Sequence, residues 1–324
     1  MELIGIARRS PVLTRTHFGC LRSVYTLNVT RGCEFRCVYC YARGYPAAPP
    51  AGTVHLFGDL PARLAQELDR PRRRKVIDGV AFNTASDSFQ THPRILDITY
   101  QAMQVLLDRG IGLSFLTKGW IPDRFGPLFA DHPGLVAARI GLVSLRPHYR
   151  DLFEPHAATA AERLQNIERL IAWGIPVEVR IDPIIPFVTD DEASIRELYE
   201  ALAARGIRTV SLSYLHLRPA LLDQLQQELP PTELSLIGAC FKTRPWSVVG
   251  ASTRSKLMPR VLRQKGYARF MGLAPEFGIK PFICACKNPD LPAHLCTNAQ
   301  RFRPMEPALE KKARQLSLFG DERC

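Results

Sequence analysis

Three cysteines stand close together near the start of the chain, and their spacing suits an iron-sulfur cluster. Cys33, Cys37 and Cys40 follow the pattern C-x3-C-x2-C. Three thiolates on one loop can hold three irons of a 4Fe-4S cube and leave the fourth iron open. Structural zinc is the alternative, but zinc sites usually pair cysteines as C-x2-C with a second pair elsewhere. We therefore expect a cluster with one open iron.

An open iron can bind the amino and carboxylate groups of S-adenosylmethionine (SAM) and pass an electron to its sulfonium. The carbon-sulfur bond then breaks and gives a 5'-deoxyadenosyl radical. With Tyr39 directly before the third cysteine, the motif resembles the signature of the radical SAM superfamily. This resemblance implies a 4Fe-4S cluster and SAM as cofactors, a partial barrel as the fold, and flavodoxin or ferredoxin as the reductant.

The composition is that of a basic globular protein. Of 324 residues, 46% are hydrophobic, and 43 Lys and Arg against 31 Asp and Glu give a net charge of +12. Such a balance favours polyanionic partners, above all nucleic acid. No apolar run reaches the length of a membrane span. Residues 1–9 do not resemble a secretory signal, and nine cysteines, an odd number, predict reduced thiols that serve metals in the cytoplasm.

The hydrophobic pattern predicts an α/β protein. Between residues 24 and 225, β-rich runs alternate with amphipathic helical patterns such as residues 95–107. Repeated βα units predict a parallel sheet with helices outside it, here a partial (β/α)6 barrel. The predicted strands cover residues 25–29, 76–82, 112–116, 138–143, 177–181 and 209–213. Around the barrel we expect an N-terminal segment (1–23), a basic, cysteine-containing C-terminal extension (226–310) and a mobile tail (311–324).

Polar residues follow every predicted strand. In barrels of parallel strands, chemistry gathers on the loops after the strands' C-terminal ends. The cysteine loop follows the first strand, and Arg180 lies on the fifth, where we expect it to contact the cofactor. The segments directly after the other strands, which we call the strand exits, are residues 83–87, 117–119, 144–147, 182–186 and 214–216.

The residues that follow the strands make the resemblance more specific, because they match one branch of the superfamily. Residues 27–33 and 40–43, Thr84-Ala85-Ser86-Asp87 and Leu116-Thr117-Lys118 resemble the spore photoproduct lyase-like branch of the superfamily. The resemblance implies that SAM is contacted by Ser86, Asp87, Lys118 and Ser144, with Tyr39 near the adenine. The alternatives are a surface lysine at Lys118 and a helix N-cap at Ser86 and Asp87.

One position departs from that branch. Spore photoproduct lyases carry a hydrogen-donating cysteine two residues before the Ser-Asp pair, where this chain has Thr84. The O–H bond of threonine is too strong to quench a carbon radical. The candidate donors nearest in sequence are Cys20, Tyr39 and Tyr41; otherwise the reaction needs none.

Two basic segments are candidate nucleic-acid contacts. Residues 254–270 carry six positive charges and two aromatic residues, a mixture that can neutralise phosphates and stack on unpaired bases. The alternative is a solvated charged face. The predicted contacts are Arg260, Arg263, Lys265 and Tyr267, together with the run Arg72, Arg73, Arg74 and Lys75.

A second group of thiols lies near the C-terminus. Cys284 and Cys286 are followed by Cys296, and turn-forming residues between them are expected to fold Cys296 back. We expect an auxiliary iron-sulfur cluster here, with structural zinc as the alternative and Cys240 or His294 as a fourth ligand. Core packing is expected for Cys20 and a tail thiol for Cys324.

The tail contains a short docking motif. Gln315, Leu316, Ser317, Leu318 and Phe319 resemble the peptide by which bacterial polymerases and repair proteins bind the β sliding clamp. A last core-packing turn is the alternative.

Together these features predict a bacterial radical SAM enzyme that acts on a damaged or modified base in DNA. A lesion must leave the base stack to reach a barrel mouth, and damaged pairs flip out at lower cost. One alternative keeps the radical chemistry on RNA, a peptide or a small molecule. The other is a non-enzymatic iron-sulfur or zinc module that binds nucleic acid.

Overall fold

The computed structural model describes residues 1–16, 19–21, 24–70, 76–249 and 253–294. The strands are β1 (Glu2–Gly5), β2 (Thr14–Arg15), β3 (Tyr25–Leu27), β4 (Thr30–Arg31), β5 (Thr53–Leu56), β6 (Gly79–Phe82), β7 (Gly112–Thr117), β8 (Val136–Gly141), β9 (Val177–Ile184), β10 (Thr209–Tyr214), β11 (Ser247–Val249), β12 (Thr253–Ser255) and β13 (Lys280–Ile283). The α-helices are α1 (Leu60–Leu68), α2 (Pro93–Leu107), α3 (Phe125–Ala130), α4 (Pro147–Phe153), α5 (Ala160–Ala172), α6 (Glu192–Ala203), α7 (Pro219–Glu228), α8 (Pro231–Ala239) and α9 (Arg260–Leu273).

An eight-stranded sheet forms the centre of the fold, in the order β2-β3-β6-β7-β8-β9-β10-β13. All neighbours from β3 to β13 are parallel, and β2 pairs antiparallel with β3 at one edge. The six strands predicted from the sequence are β3, β6, β7, β8, β9 and β10. The predicted α/β class and partial barrel are therefore confirmed.

The sequence explains both the strands and the helix starts. Every residue of β8 is buried, as expected for a parallel strand covered on both faces. Helix α5 begins with a capping box, in which Thr159 and Glu162 satisfy each other's backbone N–H groups. The Asp191 side chain accepts a hydrogen bond from the Ser194 amide at the start of α6.

The C-terminal extension adds a parallel strand to the barrel sheet. Strand β13 pairs with β10, with Thr209 opposite Lys280 and Leu212 opposite Ile283. Helix α9 packs beside α6 and β13, and the Tyr199 hydroxyl donates to the Phe270 carbonyl at 3.3 Å. The N-terminal strand β1 lies outside the barrel in a small sheet with β5 and β4. The C-terminal extension is therefore part of the barrel sheet, whereas β1 belongs to a separate sheet.

Within the described residues, no helix combines the length and the apolar character that crossing a membrane requires.

Candidate active site

One cavity of about 330 Å³ lies at the C-terminal ends of the barrel strands. It collects most of the polar side chains that the sequence places after those strands. Its lining includes Cys33, Cys37, Cys40, Tyr39, Tyr41, Thr84, Ser86, Asp87, Lys118, Arg180, Asp182, His216 and, from the two ends of the chain, Cys20 and Cys286.

The cysteine loop begins with a glycine that no other residue could replace without strain. Gly32 follows β4 with φ +79, and a Cβ there would lie 2.7 Å from Cγ of Pro49. The loop then turns back on itself, and the Cys40 amide donates to the Cys37 carbonyl at 3.0 Å. This tight turn brings three cysteines to one end of the cavity.

Helix α7 fixes the cysteine loop from the outside. Nε2 of Gln224 donates to the Val38 carbonyl and lies 3.4 Å from the Cys40 carbonyl. Arg43 donates to Glu228 at 2.9 Å and to the Cys37 carbonyl at 3.4 Å. Both α7 residues stand more than 180 positions from their partners, and the sequence analysis did not single them out.

Asp87 joins the exits of β6 and β7. Its carboxylate accepts from the Phe89 amide at 2.9 Å, the Thr117 hydroxyl at 2.7 Å and the Lys118 amide at 2.9 Å. Burial nevertheless raises the pKa of Asp87 above its ordinary value. Asp87 therefore positions Lys118, in addition to lining the cavity.

Ser86 presents a hydroxyl that the described protein leaves without a hydrogen-bond partner. The Ser86 Oγ is buried and has no partner among the described residues. A buried hydroxyl without a partner is costly, and a polar ligand in the cavity would satisfy it. The backbone beside it is fixed, because Oδ1 of Asn28 accepts from the Ala85 amide at 2.9 Å.

Tyr39 connects the cysteine loop to a buried ion pair. Its hydroxyl donates to Glu154, which is fully buried and lies 2.5 Å from the Arg163 guanidinium. Burial opposes ionisation of Glu154, but the charges of Arg163 and Lys118 outweigh it and lower its pKa. Burial and the Glu154 charge raise the pKa of Tyr39. Lys118 Nζ lies 5.7 Å from the centre of the Tyr39 ring.

The sequence of the barrel that carries these residues matches a known protein family. The radical SAM superfamily model matches residues 27–202, which contain the three cysteines and the strand exits from β3 to β9. The chain belongs to the radical SAM superfamily.

Two relatives share the barrel sequence. An uncharacterized protein of Mycobacterium tuberculosis is 31% identical over 205 residues, which are 60% of this chain and 59% of that protein. An uncharacterized protein of Methanocaldococcus jannaschii is 24% identical over 203 residues, 61% of this chain and 73% of that protein. The chain thus matches about three fifths of the length of its mycobacterial relative.

The fold is similar to that of spore photoproduct lyase. A variant of that lyase with bound AdoMet and dinucleoside spore photoproduct gives a TM-score of 0.66 at 18% identity, covering 87% of this chain and 81% of the lyase. The lyase complexed with dinucleoside spore photoproduct gives a TM-score of 0.65 with the same coverage and identity. The resemblance predicted from the sequence is confirmed for the superfamily and for the fold.

Membership of the radical SAM superfamily implies a 4Fe-4S cluster and SAM, and the residues present fit both. Burial raises the pKa of Cys33, and it raises that of Cys37 to about 12. Buried thiols become thiolates when they bind a metal, so Cys33, Cys37 and Cys40 would hold the cluster. The unsatisfied hydroxyl of Ser86 and the ammonium of Lys118 offer polar contacts to SAM.

A second charged group also lines the cavity. Asp182 binds Arg180 at 2.7 Å and Lys287 at 2.8 Å. Burial opposes ionisation of Asp182, but Lys287 and Arg180 outweigh it and lower its pKa from 3.8 to about 2. Beside them, burial first and the Lys287 charge second lower the pKa of His216 to about 3, so its imidazole is neutral at physiological pH.

We expect removal of the Lys287 charge to make the protein more sensitive to acid. A carboxyl with pKa about 2 when folded and 3.8 when unfolded adds about 2 kcal/mol of stability above pH 4, and this is lost as the pH falls through 2. In Lys287→Met the pKa of Asp182 rises, so acid unfolding followed by circular dichroism should begin at higher pH. Lys280→Met, an exposed lysine on β13, is the control; an equal shift in both variants contradicts the prediction.

Ser144 lies away from the other predicted SAM contacts. It lines a neighbouring cavity with Tyr149, Glu154 and Arg163, and its Oγ accepts from the Arg146 amide at 3.1 Å. The described structure does not bring Ser144 to the cavity that holds Ser86 and Lys118. Its role toward SAM remains a prediction.

The second thiol group has a member that the sequence analysis assigned elsewhere. Sγ of Cys20, Cys284 and Cys286 all lie within 4.8 Å of one another. The core-packing expectation for Cys20 is therefore wrong, because the Gly19–Leu21 helix brings it to the C-terminal cysteines. Cys240 is not in this group, and its Sγ donates to the Leu236 carbonyl. Cys296 and Cys324 lie outside the described residues.

The structure corrects part of the predicted nucleic-acid surface. Arg263 and Tyr267 are 1% and 2% exposed and both contact Oδ1 of Asn288, so they support the fold instead of facing solvent. Arg260 and Lys265, on the same helix α9, are exposed as a phosphate contact requires. The run from Arg72 to Lys75 and the clamp motif from Gln315 to Phe319 lie outside the described residues.

Proposed function

We propose that this radical SAM enzyme acts on a damaged or modified base in DNA, in the manner of a photoproduct lyase. The observation that carries the proposal is the cavity in which the cysteine triplet meets polar residues that follow most of the barrel strands, on a fold like that of spore photoproduct lyase. A structure of that lyase contains AdoMet and a dinucleoside lesion, so the fold can accept both ligands.

The bound cluster and SAM would supply the 5'-deoxyadenosyl radical that abstracts hydrogen from the base. The protein's part is to bind and orient. Cys33, Cys37 and Cys40 would hold the cluster, Ser86 and Lys118 would meet the polar groups of SAM, and Arg180 adds a charge to the cavity lining. Apolar side chains between these groups limit water in the cavity; they include Phe35, Phe82, Phe115 and Leu116.

Cys20, Tyr39 and Tyr41 line the cavity and stay candidate hydrogen donors. The Tyr41 hydroxyl donates to the Thr84 carbonyl at 3.0 Å, beside the position where the lyases carry their cysteine. In the described structure the Tyr39 hydroxyl is instead occupied by Glu154. If Tyr41 is the donor, Tyr41→Phe should still form 5'-deoxyadenosine but alter the base product; an unchanged product excludes it.

Exposed basic side chains on the C-terminal extension support nucleic acid as the partner. Arg260 and Lys265 are exposed on α9, and Arg254 is exposed on β12. With a net charge of +12, these residues would bind the phosphate backbone and leave base selection to the cavity. The proposal includes a cytoplasmic location and a flavodoxin or ferredoxin as the electron donor.

An anaerobic assay tests the proposal directly. The reconstituted enzyme is incubated with SAM, dithionite and either irradiated or unirradiated DNA, and nucleosides and 5'-deoxyadenosine are measured by mass spectrometry. We expect a lesion to disappear only from irradiated DNA. The proposal of a DNA substrate would be wrong if DNA does not change the rate of SAM cleavage and product forms instead on RNA, a peptide or a small molecule. Absence of SAM cleavage with an intact cluster would overturn the radical function.

We also propose that Gln315 to Phe319 dock the enzyme on the bacterial β sliding clamp. Clamp pockets accept an extended peptide through a glutamine and paired apolar anchors, and Leu316, Leu318 and Phe319 supply such anchors. Weak docking would raise the local concentration of enzyme on DNA.

The prediction for the tail concerns binding and leaves catalysis unchanged. Phe319→Ala should weaken clamp affinity at least about tenfold in surface plasmon resonance, whereas Ser317→Ala should change it little. Deleting residues 314–324 should remove clamp binding and leave SAM cleavage intact. A deletion that unfolds the protein or stops cleavage would identify the tail as structural.

A further inference from the structure

We propose that Cys20, Cys284 and Cys286 hold a single zinc-type ion at the rim of the catalytic cavity. Sγ of Cys20 lies 3.8 Å from Sγ of Cys284, which lies 2.9 Å from Sγ of Cys286. Cys284 is fully buried, while Cys20 and Cys286 are partly exposed to the cavity. Thiolates at such separations repel one another, and a shared cation removes that repulsion.

The spacing of the sulfurs favours one ion over an iron-sulfur cube. Tetrahedral zinc with Zn–S bonds of about 2.3 Å holds its sulfurs about 3.8 Å apart. The Cys20–Cys284 separation of 3.8 Å equals that value, whereas the Cys284–Cys286 separation of 2.9 Å is shorter, so these two sulfurs would move apart when they bind the ion. A cube binds each cysteine to a different iron, so its ligands lie farther apart than ligands of one ion. Cys33, Cys37 and Cys40 are also described, yet they do not gather within the 4.8 Å that includes Cys20, Cys284 and Cys286. The sulfurs of Cys20, Cys284 and Cys286 are therefore close enough to share one ion, whereas those of Cys33, Cys37 and Cys40 are spread more widely, as ligands of a cube are.

The backbone around the three sulfurs is held from both sides. Gly19 has φ +53, and a Cβ there would lie 3.0 Å from Cβ of Cys286, so the N-terminal segment approaches closely only because residue 19 is glycine. The Cys284 amide donates to the Leu212 carbonyl of β10 at 3.1 Å, and the Ala285 amide donates to the His294 carbonyl at 2.9 Å. The first bond ties Cys284 to the barrel sheet, and the second holds the turn between Cys284 and Cys286.

A buried polar network supports the same turn. Nδ2 of Asn288 donates to the Cys284 carbonyl at 3.0 Å, and Oδ1 of Asn288 accepts from Arg263 at 2.9 Å and Tyr267 at 3.1 Å. Arg263 also binds Asp290 at 2.6 Å. Polar groups that fix the backbone of metal ligands are a usual feature of metal sites, and this network explains why Arg263 and Tyr267 are buried.

The ion would fasten the N-terminal segment to the C-terminal extension beside the cavity. Residues 20 and 284 are separated by 264 positions, so the link closes a long loop and would stabilise the barrel rim. The three thiolates leave a fourth tetrahedral position.

Metal analysis of the full-length chain tests the site independently of SAM chemistry. The starting protein is the triple alanine variant of Cys33, Cys37 and Cys40, purified with zinc and iron available. We expect about one zinc per chain and no acid-labile sulfide. Adding Cys20→Ser should lower zinc below half, whereas Cys240→Ser, a cysteine outside the group, should retain it. Cobalt-substituted protein should show thiolate-to-cobalt absorption that weakens in Cys20→Ser.

If Cys20→Ser folds poorly, a second variant can still test whether residue 20 is a metal ligand. Cys20→His offers another zinc ligand, so it should retain the metal and weaken the thiolate absorption of the cobalt form. Iron with sulfide in the triple variant would overturn the single-ion proposal in favour of an auxiliary cluster. No bound metal in that variant, or zinc retained in full with Cys20→Ser, would overturn the ligand set.

Discussion

Replacing Cys37 by alanine should reduce formation of 5'-deoxyadenosine to background. The cluster loop offers three sulfurs, and loss of one leaves an iron without its protein ligand. Cys37 stands at the centre of the loop, where its carbonyl accepts from the Cys40 amide and from Arg43. The backbone is therefore expected to keep its shape, so lost activity would report on the missing sulfur. The measurement is anaerobic SAM cleavage with dithionite after reconstitution with iron and sulfide.

Two matched variants separate the cluster from a general effect of lost cysteines. Cys240→Ala removes a buried thiol from α8, outside both cysteine groups, and should keep most of the activity. Cys284→Ala should keep the absorbance of the SAM-cleaving cluster, because its sulfur belongs to the other group. Turnover by Cys37→Ala near that of the parent protein would refute the assignment of Cys33, Cys37 and Cys40.

The sequence was sufficient to predict the barrel and the position of its cysteine loop. Parallel strands buried on both faces are continuous apolar runs, and β8 is entirely buried, so its signal is strong. Because parallel strands end at one edge of the sheet, the residues after them had to meet there. Ser86, Asp87 and Lys118 do so.

Strand β13 could not be predicted in the same way. It has four residues, includes Pro281 and is only partly buried, so its local pattern is weak and a proline is typical of an edge strand. Its pairing with β10 is decided by packing of α9 on the barrel. That placement also brings Cys284 and Cys286 to Cys20, a grouping that no spacing in the sequence could indicate.

The residues that hold the cysteine loop in place also could not be predicted from local sequence patterns. Gln224 looks like an ordinary polar residue of an amphipathic helix, yet it is buried and donates to the loop. Glu154 and Arg163 are charged residues, which are rarely buried unless paired. Their pairing depends on how α4 and α5 pack against the loop, a feature of the tertiary structure.

Glu154→Gln should destabilise the protein strongly even though the side chain keeps its shape. Glu154 is fully buried and Arg163 nearly so, and removing one charge of such a pair leaves the other uncompensated at a cost of about 3–5 kcal/mol. Arg163 keeps its bonds to the Ala158 and Gly141 carbonyls, both at 2.9 Å, so the loss would come from charge. The measurement is the free energy of unfolding by urea under anaerobic conditions.

The ion pair of Arg169 with the exposed Asp123 provides the control. The Asp123 side chain is 91% exposed, so Asp123→Asn should change stability by less than about 1 kcal/mol. Because Glu154 also accepts from Tyr39 in the cysteine loop, Glu154→Gln should loosen that loop and slow SAM cleavage beyond the effect of unfolding. Equal stability changes in the two variants would contradict the prediction that Arg163 needs the Glu154 charge. If Glu154→Gln loses stability but its folded fraction cleaves SAM at the full rate, then Glu154 stabilises the fold without positioning the cysteine loop. Gln224 would then be the residue that holds the loop.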